Sequence, residues 1–144
     1  VTLTYRGVGD WSPDHVSEFF HRLRSWGRAR GVVLPYVWVA ELQERGAVHY
    51  HVLVWVPVRF VLPKADRRGW WRHGSSRTEA ARCAGGYLAK YVSKAESCSH
   101  AFPRGLRLSG FGGVSSHARR VRAWWLLPLY LREVFGLMQT FVDH

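Results

Sequence analysis

Between residues 16 and 26 the apolar side chains recur at helical spacing, as Val16, Phe19, Phe20, Leu23 and Trp26. That stripe predicts an amphipathic helix. Ser12 is placed to cap it, Pro13 suits its first turn, and Gly31 lies where it should end. Its opposite face carries Arg22, Arg24 and Arg28. Elsewhere the period changes to two. Residues 1–5 alternate β-forming side chains, and residues 36–43 and 48–58 predict two further strands joined by Glu44-Arg45-Gly46. Residues 59–75 predict a loop, 76–96 a helix interrupted at Gly85-Gly86, 106–109 a short strand, and 117–137 a helix bent at Pro128. Strands separated by helices in this order predict an α+β class, a central antiparallel sheet flanked by helices. A chain of 144 residues suits one domain, 1–144, with a core of real size.

Charge narrows the partners. Twenty-one Lys and Arg against ten Asp and Glu leave a net charge of +11, which predicts a polyanion, nucleic acid before membrane. The longest apolar run, residues 124–131, holds Pro128 and is too short to span a bilayer. Cys83 and Cys98 have no metal-ligand or CxxC spacing and predict reduced thiols in a cytoplasmic protein. No signal peptide is recognisable. With Val1 first and Met138 the sole methionine, a piece of a longer protein is expected.

The sharpest chemical feature is His49-Tyr50-His51. Residues i and i+2 of a strand project from one face, so both imidazoles can converge on one ion. The pair alone is a weak signal, but the hairpin strengthens it. A three-residue turn, Glu44-Arg45-Gly46, puts Gly46 where a left-handed backbone is needed. That register sets Gln43 against Ala47 and Glu41 against His49, so Glu41 joins both histidines. A two-residue turn would send Glu41 to the other face and demand positive φ from Arg45. Two imidazoles and one carboxylate suit Mn²⁺ or Mg²⁺ with positions open to substrate oxygen. The plainer alternative pairs Glu41 with an arginine, and Gln43 is the reserve third ligand.

Two further segments carry candidate chemistry. Tyr87, Tyr91 and Lys94 share one helix face by i, i+4, i+7 spacing, whereas Leu88, Val92 and Ala95 share another. Tyrosines so spaced are more often packing aromatics, but Lys90 and Lys94 argue against a dry face. A tyrosine nucleophile needs neighbouring positive charge to lower its pKa from about 10. In the 59–75 loop, Arg67, Arg68 and Arg72 surround Trp70 and Trp71, a pattern that can grip a strand by charge and stacking. The alternative there is a solvated loop whose tryptophans cap the core.

With those residues in hand, a resemblance can be stated. Thr2-Leu3-Thr4-Tyr5, then Glu41 through His51, then Tyr87-x-x-x-Tyr91-x-x-Lys94 resemble, in order, three motifs of rolling-circle replication initiators with an HUH endonuclease domain. The third is in its two-tyrosine form. The segments 62–64, 69–71 and 103–105 look most like replication proteins of filamentous and related single-stranded DNA phages. The resemblance implies an RRM-like sandwich with the HUH strands in mid-sheet. It also implies a metal-dependent endonuclease and strand transferase acting on single-stranded origin DNA. Tyr91 is then the first nucleophile, leaving a 5′-phosphotyrosine and a free 3′-OH. Tyr87 is the second, and Lys94 with Lys90 steadies phosphate or tyrosinate. A host helicase and polymerase are further implied partners. No helicase region is recognisable in this chain, so the resemblance carries nicking and joining alone.

Two rivals remain at this level. A transposase or relaxase of the same superfamily would share the chemistry. A non-catalytic single-strand binder would use the tryptophans as stacking platforms and leave His49, His51 and Tyr91 incidental.

Overall fold

The computed structural model describes residues 1–81, 86 and 102–125, and in residues 121–125 the backbone alone. The chain divides into two compact units, Val1–Gly113 and Val114–His144. In the first, β1 (Thr2–Tyr5), α1 (Pro13–Arg28), β2 (Tyr36–Leu42), β3 (Val48–Val54), β4 (Gly74–Arg77) and β5 (Ser109–Gly112) follow in chain order. The strands form one antiparallel sheet in the order β4-β1-β3-β2-β5, so the hairpin of β2 and β3 occupies its middle. This is the α+β architecture that the patterning predicts.

α1 forms for the expected reason. Val16, Phe19, Phe20, Leu23 and Trp26 are all buried, on the side of the sheet that carries Leu3, Tyr36, Trp38, Tyr50 and Val52. Phe20 stacks on Tyr36 with ring centroids 4.2 Å apart. Each such ring removes a large apolar area from water, on the order of 2–3 kcal/mol before entropy is counted. Ser12 is extended at the helix start but makes no side-chain cap bond. At the other end Gly31 adopts φ 68°, and the Val32 amide turns back to the Gly27 carbonyl.

Several boundaries differ from the pattern's expectation. β3 stops at Val54 rather than running to residue 58, and Trp55 instead donates its amide to the Pro35 carbonyl. Residues 74–77 form β4, although the pattern predicts a loop to residue 75 and a helix from 76. Gly-Ser-Ser-Arg has almost no strand propensity, and its place is set by tertiary partners. Ser76 is buried opposite Leu3, its amide donates to the Asp66 carboxylate, and its hydroxyl accepts from the Asp66 amide. The last strand lies at 109–112 rather than 106–109, with two glycines as the cause. A Cβ at Gly110 would fall 2.6 Å from Trp38 Nε1, and one at Gly112 would strike the Tyr36 ring. β5 therefore lies flush beneath the two rings of β2.

In the second unit, α2 (Ser116–Trp125) is capped by Ser115, whose hydroxyl accepts from the Ala118 amide at 3.1 Å. The predicted bend at Pro128 and the helix beyond it lie outside the described residues. No helix among the described residues is long and apolar enough to cross a membrane.

Candidate metal centre

The turn between β2 and β3 sets the geometry of the centre. Gly46 adopts φ 81°, its amide donates to the Gln43 carbonyl, and the Gln43 amide closes the loop on the Ala47 carbonyl. No other residue of the turn has positive φ, so the glycine takes the left-handed position as the three-residue turn requires. The ladder then pairs Leu42 with Val48, Glu41 with His49, and Val39 with His51. Tyr50 and Val52 enter the core beneath α1, and Glu41, His49 and His51 share the opposite face.

On that face one ligand atom from each of the three lies within 4.8 Å of the others. His51 Nε2 and a Glu41 carboxylate oxygen are 2.6 Å apart, and the His51 ring is 5% exposed. His49 Nε2 is shielded from solvent and has no hydrogen-bond partner among the described residues. A buried imidazole nitrogen without a partner carries a desolvation cost that a coordinated cation would remove. Burial first, then the neighbouring His51 and Arg45, lowers the His49 pKa to about 4, against a smaller opposing effect of Glu41. The imidazole is therefore neutral at physiological pH, the form that offers a lone pair to a metal. Two imidazoles and a carboxylate are compatible with a divalent ion, and a cavity of about 380 Å³ bordered by Glu41, Gln43, Arg45 and His49 opens the cluster to solvent.

Neighbouring strands contribute what the pattern did not assign. β1 pairs Thr2 with His51 and Thr4 with His49, so both threonines stand on the metal-binding face. Strand alternation in Thr2-Leu3-Thr4-Tyr5 holds that information once the register is known. Arg45 pins the turn. Its guanidinium donates to the Tyr5 and Arg6 carbonyls at 2.6 and 3.0 Å and to the Gln43 side-chain oxygen at 2.8 Å. Gln43, the reserve ligand, is thus held by Arg45, and Glu41 is the carboxylate of the cluster.

The other sequence-predicted residues are not brought to this place. Tyr87, Lys90, Tyr91 and Lys94 lie outside the described residues. Arg67, Arg68 and Arg72 are exposed, on a segment held by Arg22, which donates to the Gly69 carbonyl at 2.7 Å. Trp70 is half-buried edge-on to Trp26. Trp71 is 1% exposed, packed against Tyr5 and donating its indole N–H to the Thr4 carbonyl at 3.0 Å. As placed, it has no ring face to offer a base, and its role is in the core.

Residues 1–96 match the family model of the replication-associated protein ORF2 type. The chain belongs to this family. The match contains the β2–β3 hairpin and the whole Glu41, His49, His51 cluster, and it extends through Tyr87, Tyr91 and Lys94. Membership assigns the chain to DNA replication, with a role in initiation and DNA as the corresponding partner. Searches of curated proteins and of solved structures gave no match.

Proposed function

We propose that this protein is an HUH-type endonuclease and strand transferase that nicks single-stranded origin DNA to start rolling-circle replication, acting in a bacterial host's cytoplasm. The observation that carries the reading is the Glu41, His49, His51 cluster with its unpartnered His49 Nε2, in a replication-family chain.

These three residues would hold a divalent cation, Mn²⁺ or Mg²⁺. When bound, such an ion supplies Lewis-acid polarisation of a phosphoryl oxygen. The chain's own residues do the rest. The Tyr91 hydroxyl oxygen attacks phosphorus, the bond from phosphorus to the 3′ oxygen breaks, and the departing oxygen gains a proton to become the free 3′-OH. The DNA stays linked as a 5′-phosphotyrosine. One phosphodiester replaces another, so the reverse attack by a 3′-OH rejoins the strand. Tyr87 would perform the second cleavage. Lys94 and Lys90 would stabilise tyrosinate or phosphate by charge.

The tyrosines of the sheet support this assignment by exclusion. Tyr5, Tyr36 and Tyr50 are buried on the α1 side of the sheet, away from the metal-binding face. Tyr36 and Tyr50 accept hydrogen bonds from Arg24 and Trp11 through their hydroxyls, and Tyr5 contacts His15. Burial raises the Tyr5 and Tyr50 pKa values above the ordinary range, the wrong direction for a nucleophile.

The test is incubation with single-stranded origin-type DNA and Mn²⁺, followed by denaturing electrophoresis. A covalent, SDS-resistant adduct is expected. Tight binding without any adduct would instead favour a non-catalytic single-strand binder.

A further inference from the structure

A second charged feature lies on the other side of the sheet. Where the end of α1 meets the segment after β3, a cavity of about 410 Å³ is bordered by Arg30, Arg59 and Arg68 over an aromatic floor of Trp26 and Phe60. The Arg30 guanidinium carbon sits 4.1 Å from the Trp26 ring centroid, and that of Arg59 sits 5.0 Å from the Phe60 centroid. Trp26 and Phe60 pack edge to face with centroids 6.0 Å apart, so the two stacked cations are neighbours.

No carboxylate borders this cavity among the described residues. The only acid of the 59–73 segment is Asp66, and it is already engaged by the amides of Ser76 and Arg67 and by Lys64. Arg68 is positioned by backbone bonds, its amide to the Lys64 carbonyl and the Gly69 amide to that of Asp66. Arg30 is steadied by a bond from its guanidinium to the Trp26 carbonyl at 3.2 Å. A guanidinium stacked on a ring keeps its edge available for the paired hydrogen bonds that phosphate accepts. Holding it beforehand reduces the ordering cost of binding.

We infer that Arg30, Arg59 and Arg68 form a binding site for DNA phosphodiester groups, separate from the metal centre. This rests on the reading that the protein works on DNA. Trp26 belongs to the core layer on one side of the sheet, and Glu41, His49 and His51 lie on the other. A phosphate held here is therefore never the one being cut. The bound DNA must pass around the domain, and this site holds sequence flanking the nick.

The experiment measures affinity against salt concentration for a single-stranded oligonucleotide and for a duplex of the same sequence. Parent, Arg30→Ala/Arg59→Ala and Arg30→Lys/Arg59→Lys proteins are compared, since neither position belongs to the cleavage machinery. Losing two phosphate contacts should reduce the log–log salt slope by about 1.4 on single strands or about 1.8 on duplex. The probe on which the slope falls identifies the form of DNA held. The lysine variant should keep most of the parental slope. Unchanged slopes on both probes in the alanine variant overturn the inference. So does a loss that lysine fails to restore together with a lowered melting temperature, which assigns the arginines to packing. His49→Ala serves as the control, keeping the slope while losing the adduct. A parent that forms adduct while the alanine variant keeps its slope removes this inference alone. A parent that binds neither probe removes the functional reading as well.

Discussion

Glu41 stands directly opposite His49 in the β2–β3 ladder, yet its carboxylate bonds the imidazole of His51, 2.6 Å away on the diagonal. The diagonal bond leaves His49 Nε2 buried without a partner among the described residues. The cluster is thus assembled by the sheet before any ion arrives.

Metal binding should follow from that assembly. Titration calorimetry on the chelator-treated protein should show one Mn²⁺ site tighter than for Mg²⁺, because imidazole suits the softer ion. Saturating Mn²⁺, at about a hundred times its dissociation constant, should stabilise the fold by about 2.7 kcal/mol. His49→Ala and His51→Ala should each abolish this gain while keeping the β-sheet circular dichroism. Adduct formation that survives chelation undiminished would remove the metal from the reaction.

The tyrosines are separable by substitution. Tyr91→Phe removes the hydroxyl while keeping the ring, and it should eliminate most covalent adduct on a simple origin oligonucleotide. Tyr87→Phe should retain first cleavage but lose strand transfer by the already linked protein. The double variant should bind DNA and form no adduct. Peptide mapping of the adduct decides the order, and a DNA-linked peptide centred on Tyr87 alone reverses it.

The exposed arginines of the 59–75 loop lend themselves to a salt measurement. Arg67→Ala/Arg68→Ala/Arg72→Ala should reduce the salt slope for single-stranded DNA by about 2, roughly 0.7 for each phosphate contact. Trp70→Ala should weaken binding with little loss of stability. Trp71→Ala should destabilise the fold by about 3–5 kcal/mol, as deletion of a fully buried ring does. Equal denaturation midpoints for the two tryptophan variants would contradict their different burial.

Acid should loosen the same region. His73 stacks on His15 with ring centroids 3.5 Å apart, and its pKa is lowered by burial first and by the His15 charge second. Glu18 and Asp10 oppose the shift, and Arg22 adds to it. The folded state therefore disfavours the proton that the unfolded chain accepts below about pH 6.5. This contribution is fully present above that pH and is lost as pH falls through the lowered folded-state value. Urea midpoints of the metal-free protein should fall on acidification from neutral pH, and His73→Gln should flatten that part of the profile. An identical pH profile for parent and variant would discount His73.

What the chain made legible follows from how local each signal is. The α1 stripe and the Glu41–His49 register are written in adjacent residues, through spacing and through the single glycine of the turn. β4 was hidden because Ser75 and Ser76 owe their extended backbone to Leu3, Thr4 and Asp66, residues distant in sequence. Trp71 was ambiguous because an indole beside arginines fits a stacking platform and a core plug equally well. The Thr4 carbonyl that takes its N–H lies 67 residues away.

The glycines of β5 work by what they lack. Gly110 and Gly112 sit beneath the rings of Trp38 and Tyr36, where a single carbon would collide. A two-residue slip of this edge strand keeps the same faces in place, but it carries Leu108 or Val114 under one of the rings. The misaligned pairing is therefore excluded by volume alone, and the edge of the sheet is keyed by two missing side chains.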